Sequence, residues 1–330
     1  MASHLVVWMK GVFILAYQST NKSISVQEMI EAKKRKKSAN GVADKVVPFL
    51  LLLTAIVSIL TTIGIVFTLI FETFTFFNRV SIVEFFTEKS WYPFSETQGS
   101  YGIMPLISGT LKVTIIAVLV AVPVGLSSAI YLSEYASDRV RRIIKPILEV
   151  LAGIPTIVYG FFALTFVTPI LREFIPSMEV FNALSPGIVI GIMITPMIAS
   201  LSEDAMSSVP NSMREGALAL GSTKFEVSMK VVLPAAISGI IASIVLATSR
   251  AIGETMIVAV AGGSTPNLNW NITSSIQTMT AYIVQVSQGD AGFGTTIYYS
   301  IYAVGTTLFV FTLAMNLLAQ FISRRFREEY

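Results

Sequence analysis

The sequence predicts an all-α membrane protein, and three observations carry that reading. Of its 330 residues 53% are hydrophobic and 13% are charged, against about 25% charged in ordinary globular chains. Long charge-free runs recur along the chain, and none of them alternates with period two, so the runs are helices rather than barrel strands. The lone histidine, His4, and the absence of cysteine leave no basis for a His- or thiolate-ligated metal site, a disulfide framework or a cysteine nucleophile. A net charge of +3 gives nucleic acid no basic patch to bind. A soluble enzyme is excluded, and no catalytic or metal residue is assigned.

Crossing about 30 Å of hydrocarbon takes roughly 20 apolar residues at ~1.5 Å each. Between Lys45 and Glu72 stand 26 uncharged residues, and between Lys112 and Glu134 stand 21. The gaps from Glu149 to Arg172 and from Glu179 to Glu203 hold 22 and 23. These give spans one to four, with Lys112 and Glu134 expected at the two boundaries of span two. Span five is expected from about Val231 to Ala261, interrupted by Arg250 and Glu254, and span six from Thr295 to Ile322. A seventh span at Ile272 to Val286 is rejected because it is rich in Gln, Ser and Thr; Ser275 to Gln285 reads instead as an amphipathic helix on the outer surface.

Six transmembrane helices put both termini on one side. With that side inside, the cytoplasmic segments hold eighteen Lys and Arg against three outside, Arg79, Lys89 and Arg172, so the expected topology is N-in/C-in. The organisation is a cytoplasmic tail over 1–45, a transmembrane domain over 46–323 and a cytoplasmic tail over 324–330. Within the first tail Leu5 to Tyr17 is too short to span, and Met29 precedes the basic run Lys33 to Lys37, so residues before Met29 read either as an interfacial helix or as an upstream extension. Gly187 and Gly191 have the small-xxx-small spacing of close helix packing.

The segment Ser202 to Val232, between spans four and five, is a long mixed polar and apolar stretch on the cytoplasmic side. It reads as a helix-turn-helix: Pro210 and Asn211 to Leu220, Gly221 as the helix stop, then Thr223 to Val232. Met213, Ala217 and Leu220 are expected to form the buried face of its first helix. Gly216 to Gly221 imitates the ends of a phosphate-binding loop, but Ser222 stands where lysine is required. Nucleotide binding by this chain has no motif.

Glu215-Gly216-Ala217, Gly221, Val231 and Leu233-Pro234 resemble the signature of ABC (ATP-binding cassette) importer permeases, with Gly216 in place of the first alanine and Val231 in place of isoleucine. The resemblance implies that Glu215, Gly216, Ala217, Gly221, Leu233 and Pro234 couple this chain to an ATPase.

Arg250 and Glu254 form the second constellation. A charge at membrane depth costs at least ~2.5 kcal/mol, and the four-residue spacing lets the two share a helix face and pair. A straight helix from Pro234 puts Arg250 roughly 24 Å along, at or beyond the bilayer centre. Two readings stand open: a self-neutralising packing pair, or an anion site in the substrate path, since guanidinium offers planar donors suited to oxyanions. Glu203 and Asp204 read as a solvated pair at a helix end.

Arg250-Ala251-Ile252-Gly253-Glu254-Thr255-Met256 resembles the phosphate-uptake (Pst) permeases, as do Tyr101 to Leu111 and Leu151 to Gly160; the form of Gly102 to Leu111 favours the PstC-type subunit. That resemblance implies a permease importing inorganic phosphate across the bacterial inner membrane, paired with a PstA-type permease. It further implies a PstB-type ATPase dimer that binds ATP and Mg, no cofactor in this chain, and a PstS-type phosphate-binding protein outside. The outer loops Glu72 to Tyr101 and Gly262 to Gly294 would meet that donor, with Trp91, Tyr92, Tyr101 and Trp270 either contacting it or anchoring at the lipid interface. Alternatives are a permease for another oxyanion such as sulfate or molybdate, or an ATP-independent secondary transporter.

Overall fold

The computed structural model describes residues 43–95 and 99–325. The expectations for the N-terminal tail before residue 43 and for the last five residues lie outside these. The chain divides into two units, Met1–Phe67 and Thr68–Tyr330. The described part of the first is helix, the beginning of α1 (Ala43–Phe77).

The second unit is helical, and its only strands among the described residues are β1 (Trp91–Tyr92) and β2 (Ser100–Tyr101), an antiparallel pair. After α1 comes the short α2 (Ile82–Thr87), then α3 (Met104–Ile130), which begins with Pro105 in its first turn, where a missing N–H costs nothing. A π turn, Tyr131–Tyr135, extends α3. The amphipathic α4 (Asp138–Gly153) follows, and a break at Ile154-Pro155 separates it from α5 (Thr156–Phe162). Tyr159 donates its hydroxyl across that break to the Leu151 carbonyl at 2.8 Å. A π turn joins α5 to α6 (Thr168–Phe174). Then come α7 (Leu184–Ser207), α8 (Asn211–Ala219), α9 (Lys224–Val227), α10 (Leu233–Ala235), α11 (Ile237–Ile252), α12 (Met256–Ala261), α13 (Met279–Gln285) and α14 (Thr296–Arg325).

Five helical stretches among the described residues are long and apolar enough to cross a membrane, and six if the bent pair Lys224–Ala235 and Ile237–Ile252 counts as one span. The all-α membrane class therefore stands. Span three is shorter than its charge-free gap, because Pro155 starts a new helix at Thr156.

The core lies where α7 crosses α3. Glycine permits the approach: a Cβ on Gly187 would stand 2.7 Å from that of Ile116, and one on Gly191 2.7 Å from that of Val120. The packing expected of Gly187 and Gly191 is thus observed, and Gly125 returns it from α3 against Ile198. A hydroxyl pair, Ser202 with Ser243 at 2.7 Å, ties α7 to α11, and Ser249 donates to Asn316 to tie α11 to α14.

Three expectations are corrected here. Span five is not one rod: it bends by 70° between Ala235 and Ile237 and breaks again at Gly253-Glu254-Thr255. Ser275 to Gln285 is no surface helix, because Ile276, Met279 and Tyr282 are fully buried and Thr280 donates to the Glu254 carbonyl inside the span-five break. Its Gln, Ser and Thr content reflects hydrogen bonding within the protein rather than contact with water. Lys112 is no boundary residue either: it sits two turns inside α3 at 1% exposure.

At the opposite end of α3 from the coupling loop, Phe76, Phe85, Trp91, Tyr101 and Tyr282 pack edge to face. Trp91 and Tyr101 are buried in this cluster, which removes them as donor-protein contacts, whereas Tyr92 and Trp270 are exposed. The loops there interlock: Glu179 accepts from the Ser275 amide, and the Ala183 and Leu184 amides donate to the Ile272 carbonyl.

Candidate functional site: the coupling loop and the broken fifth span

The helix-turn-helix forms as its sequence predicts. At the end of α8 the Ser222 amide reaches the Ala217 carbonyl and the Gly221 amide the Leu218 carbonyl, the paired bonds of a Schellman stop. Gly221 takes φ +88°, a conformation that suits glycine. Thr223 and Glu226 then cap α9 reciprocally in a capping box. The bond from the Thr223 backbone, followed by those from the Lys230 and Thr223 side chains, holds the Glu226 carboxyl down at about 2.

Of the six residues that the resemblance implies for coupling, Glu215, Gly216, Gly221 and Pro234 are exposed, while Ala217 and Leu233 turn inward. Ala217 and Met213 pack on the cluster of Met206, Val209, Val227 and Val232. Leu220, expected on that buried face, is instead 90% exposed, because the Schellman turn carries it past the end of the helix. With Leu218 and Phe225 it leaves an apolar tip facing outward.

Arg214, immediately before the motif glutamate, was not singled out by the sequence pattern, yet it is the anchor of the loop. Its guanidinium donates to the Met206 carbonyl at 2.7 Å, to the Val209 carbonyl at 2.5 Å and to Glu134 Oε1 at 3.1 Å. One side chain therefore joins α8, the end of α7 and the π turn that ends α3. The one sequence signal is Glu134, an acidic residue at the end of span two.

At the neighbouring end of α7, Glu203 is fully buried and receives Arg141 and Lys145 from α4, and Asp204 receives Lys145 at 3.2 Å. The solvated role expected for the pair holds for Asp204 only. Glu203 pins the amphipathic α4 to α7.

Arg250 and Glu254 do not pair. The helix stops at Ile252, so four residues no longer make one helical turn. Glu254 Oε1 accepts instead from the Met256 and Ile257 amides at 3.1 and 3.3 Å and so caps α12. Glu254 is buried, at 8% exposure, while Arg250 is exposed on the wall of a cavity of about 160 Å³ shared with Lys145, Glu149, Met193, Pro196 and Ser200. Arg250 makes no ion pair or hydrogen bond among the described residues. The self-neutralising pair is thereby set aside. The five guanidinium donors of Arg250 are left without a protein partner among the described residues of that wall.

Residues 121–328 match the family of binding-protein-dependent transport system inner membrane components. The chain belongs to that family. Within it, the permease is 36% identical to the probable ABC transporter permease protein YqgH of Bacillus subtilis, over 75% of this chain and 80% of that one. It is 34% identical to the phosphate transport system permease protein PstC of Xylella fastidiosa, over 74% of this chain and 79% of that one. It is 32% identical to the probable PstC of Methanocaldococcus jannaschii, over 77% and 87%. These relatives bear out the PstC-type resemblance. The permease also shares its fold with a chain of a bacterial alginate ABC transporter, at TM-score 0.61 and 15% identity over 89% of this chain and 98% of that one. A chain of the inward-facing methionine transporter MetNI gives TM-score 0.53 at 17% identity over 68% and 98%. Both show the architecture alone.

Proposed function

We propose that this permease forms, with a PstA-type paralogue, the path of an ATP-driven importer of inorganic phosphate in the bacterial inner membrane. In this reading six spans run N-in/C-in, the 46–323 domain crosses the membrane, and the tails before and after it are cytoplasmic. A PstB-type ATPase dimer binds ATP and Mg, this chain carries no cofactor, and a PstS-type protein delivers phosphate outside.

The observation that carries the coupling role is the apolar tip of Leu218, Leu220 and Phe225, presented beside Glu215, Gly216 and Gly221 and held from behind by Arg214. Leaving three large apolar side chains in water is unfavourable by about 25 cal/mol per Å², and an ATPase groove relieves it. A push on that tip reaches α3 through Glu134 and α7 through Met206 and Val209, and those helices are locked to each other by their glycines. Substrate choice rests on the PstC relatives and on Arg250, whose guanidinium holds a tetrahedral oxyanion by two parallel hydrogen bonds.

The test is uptake into proteoliposomes holding the complete complex. ATP-dependent accumulation of phosphate, at least tenfold over sulfate and molybdate and abolished by Arg250→Gln in complexes that still assemble, is the expected result. Uptake by this chain without ATP or an ATPase would establish a secondary carrier instead. Sulfate or molybdate preference would retain the importer and overturn the substrate.

A further inference from the structure

Lys112 is the most deeply buried cation of the described chain. Its ammonium has three protons to donate and one acceptor, Asn267 Oδ1 at 3.1 Å. No carboxylate lies within 4 Å of it among the described residues. One turn earlier on the same face of α3, the buried Ser108 hydroxyl has no partner at all. A buried cation with a neutral partner and an orphaned hydroxyl beside it are each costly, and the pair of them is a donor set suited to an anion.

A cavity lies close by, on the far side of the residues that pack on this stretch of α3. The lining of this cavity of about 630 Å³ includes Ser264, Thr265, Pro266 and Gln277 together with the rings of Trp91, Tyr92 and Phe94. Asn267, the partner of Lys112, directly follows Pro266 of that wall, and its amide is held by the Ser275 carbonyl at 2.6 Å. Gln277 presses on α3 so closely that a Cβ on Gly109 would stand 2.2 Å from its carbonyl oxygen. Gln277 is thus shared between the lining of that cavity and the surface of α3 one residue from Ser108.

The order along the helices places this site before Arg250. Gly187 meets Ile116, Gly191 meets Val120 and Ile198 meets Gly125, so α7 and α3 run parallel. Arg250 stands level with Met193 to Ser200, further along α3 than Lys112. We infer that Lys112 and Ser108, covered by Asn267 and Gln277, form a first oxyanion station on the outer side of the path, which inorganic phosphate occupies before it reaches Arg250. This rests on the importer reading above. Lys112 releases Asn267 when phosphate arrives, so the same bond that closes the station is broken by its occupant.

The experiment compares Lys112→Met, Lys112→Arg and Ser108→Ala in the complete complex, with assembly checked by copurification and uptake measured against phosphate concentration. The expected result is a KM for phosphate raised at least tenfold by Lys112→Met, returned to within about threefold by Lys112→Arg, and raised severalfold by Ser108→Ala. A KM within twofold of the parent in assembled Lys112→Met overturns the station while leaving the phosphate importer intact. If the parent complex imports sulfate instead, the same variants are read against sulfate, so the two failures stay separate. If Lys112→Met does not assemble, Ser108→Ala decides: an unchanged KM overturns the station.

Discussion

Arg214→Ala would release α8, and the structure sets the size of the effect. The guanidinium is 17% exposed and its partner Glu134 is 9% exposed, so water can replace little of what is lost. Truncation removes a charged hydrogen bond to Glu134 and two to main-chain carbonyls. Each is worth roughly 1.5–3 kcal/mol when the partner stays buried, and breaking a buried pair costs about 3–5 kcal/mol. Residual solvent access lowers the net to about 2–4 kcal/mol for docking of α8. At about 1.4 kcal/mol per decade that is a 30- to 1,000-fold rise in local opening. Amide hydrogen exchange of residues 213–219 in the purified permease reads this directly. Glu134→Gln keeps the acceptor but not the charge, and should accelerate exchange about fivefold, for ~1 kcal/mol. Exchange in Arg214→Ala within threefold of the parent would refute the anchor.

The glycines give a matched pair for thermal unfolding in detergent. Gly191→Ala forces a Cβ to within 2.7 Å of Val120 and 2.9 Å of the Ala117 carbonyl and should cost about 1–3 kcal/mol, whereas Gly216→Ala, with nothing within 4 Å, should gain up to about 1 kcal/mol of helix propensity; equal effects would contradict the packing. Gly221→Ala, at φ +88°, should lose about 1 kcal/mol and Gly221→Asn less, measured as exchange of the Ser222 amide. The Glu226 carboxyl is held at about 2 against an ordinary 4.5. Its folded value is depressed, so its contribution to the α9 cap is complete above pH 4.5 and lost as pH falls toward 2. Glu226→Gln should flatten that part of the pH profile for residues 224–227; an unchanged profile would assign it to another group.

What could be read from the sequence is what a local pattern records. Charge-free length marks the membrane helices, and the pattern from Pro210 to Val232 marks the helix-turn-helix with its stop at Gly221 and its restart at Thr223. Misreadings fell where tertiary contacts decide. Ser275 to Gln285 looked like surface because its polar groups bond to the protein: Thr280 to Glu254, Gln277 to Gln285. Lys112 looked like a boundary because burial of a lysine leaves no trace in spacing. Arg250 and Glu254 looked like a helical pair because nothing local foretells a break at Gly253. Arg214 binds Glu134, 80 positions away, and no periodicity connects them.

The two interruptions of the fifth span turn it from a strut into a crank. A strut of that length would hand any displacement at its coupling end straight to the far side. Here the joints at Ala236 and Gly253 separate α11 from the segments on either side, while α12 is wedged where Val260 sits 3.0 Å from a Cβ built on Gly160 and where Glu254 ties its first turn. Arg250 and Glu254 thus stand on opposite sides of the Gly253 joint, the guanidinium carried by α11 and the carboxylate built into the first turn of α12.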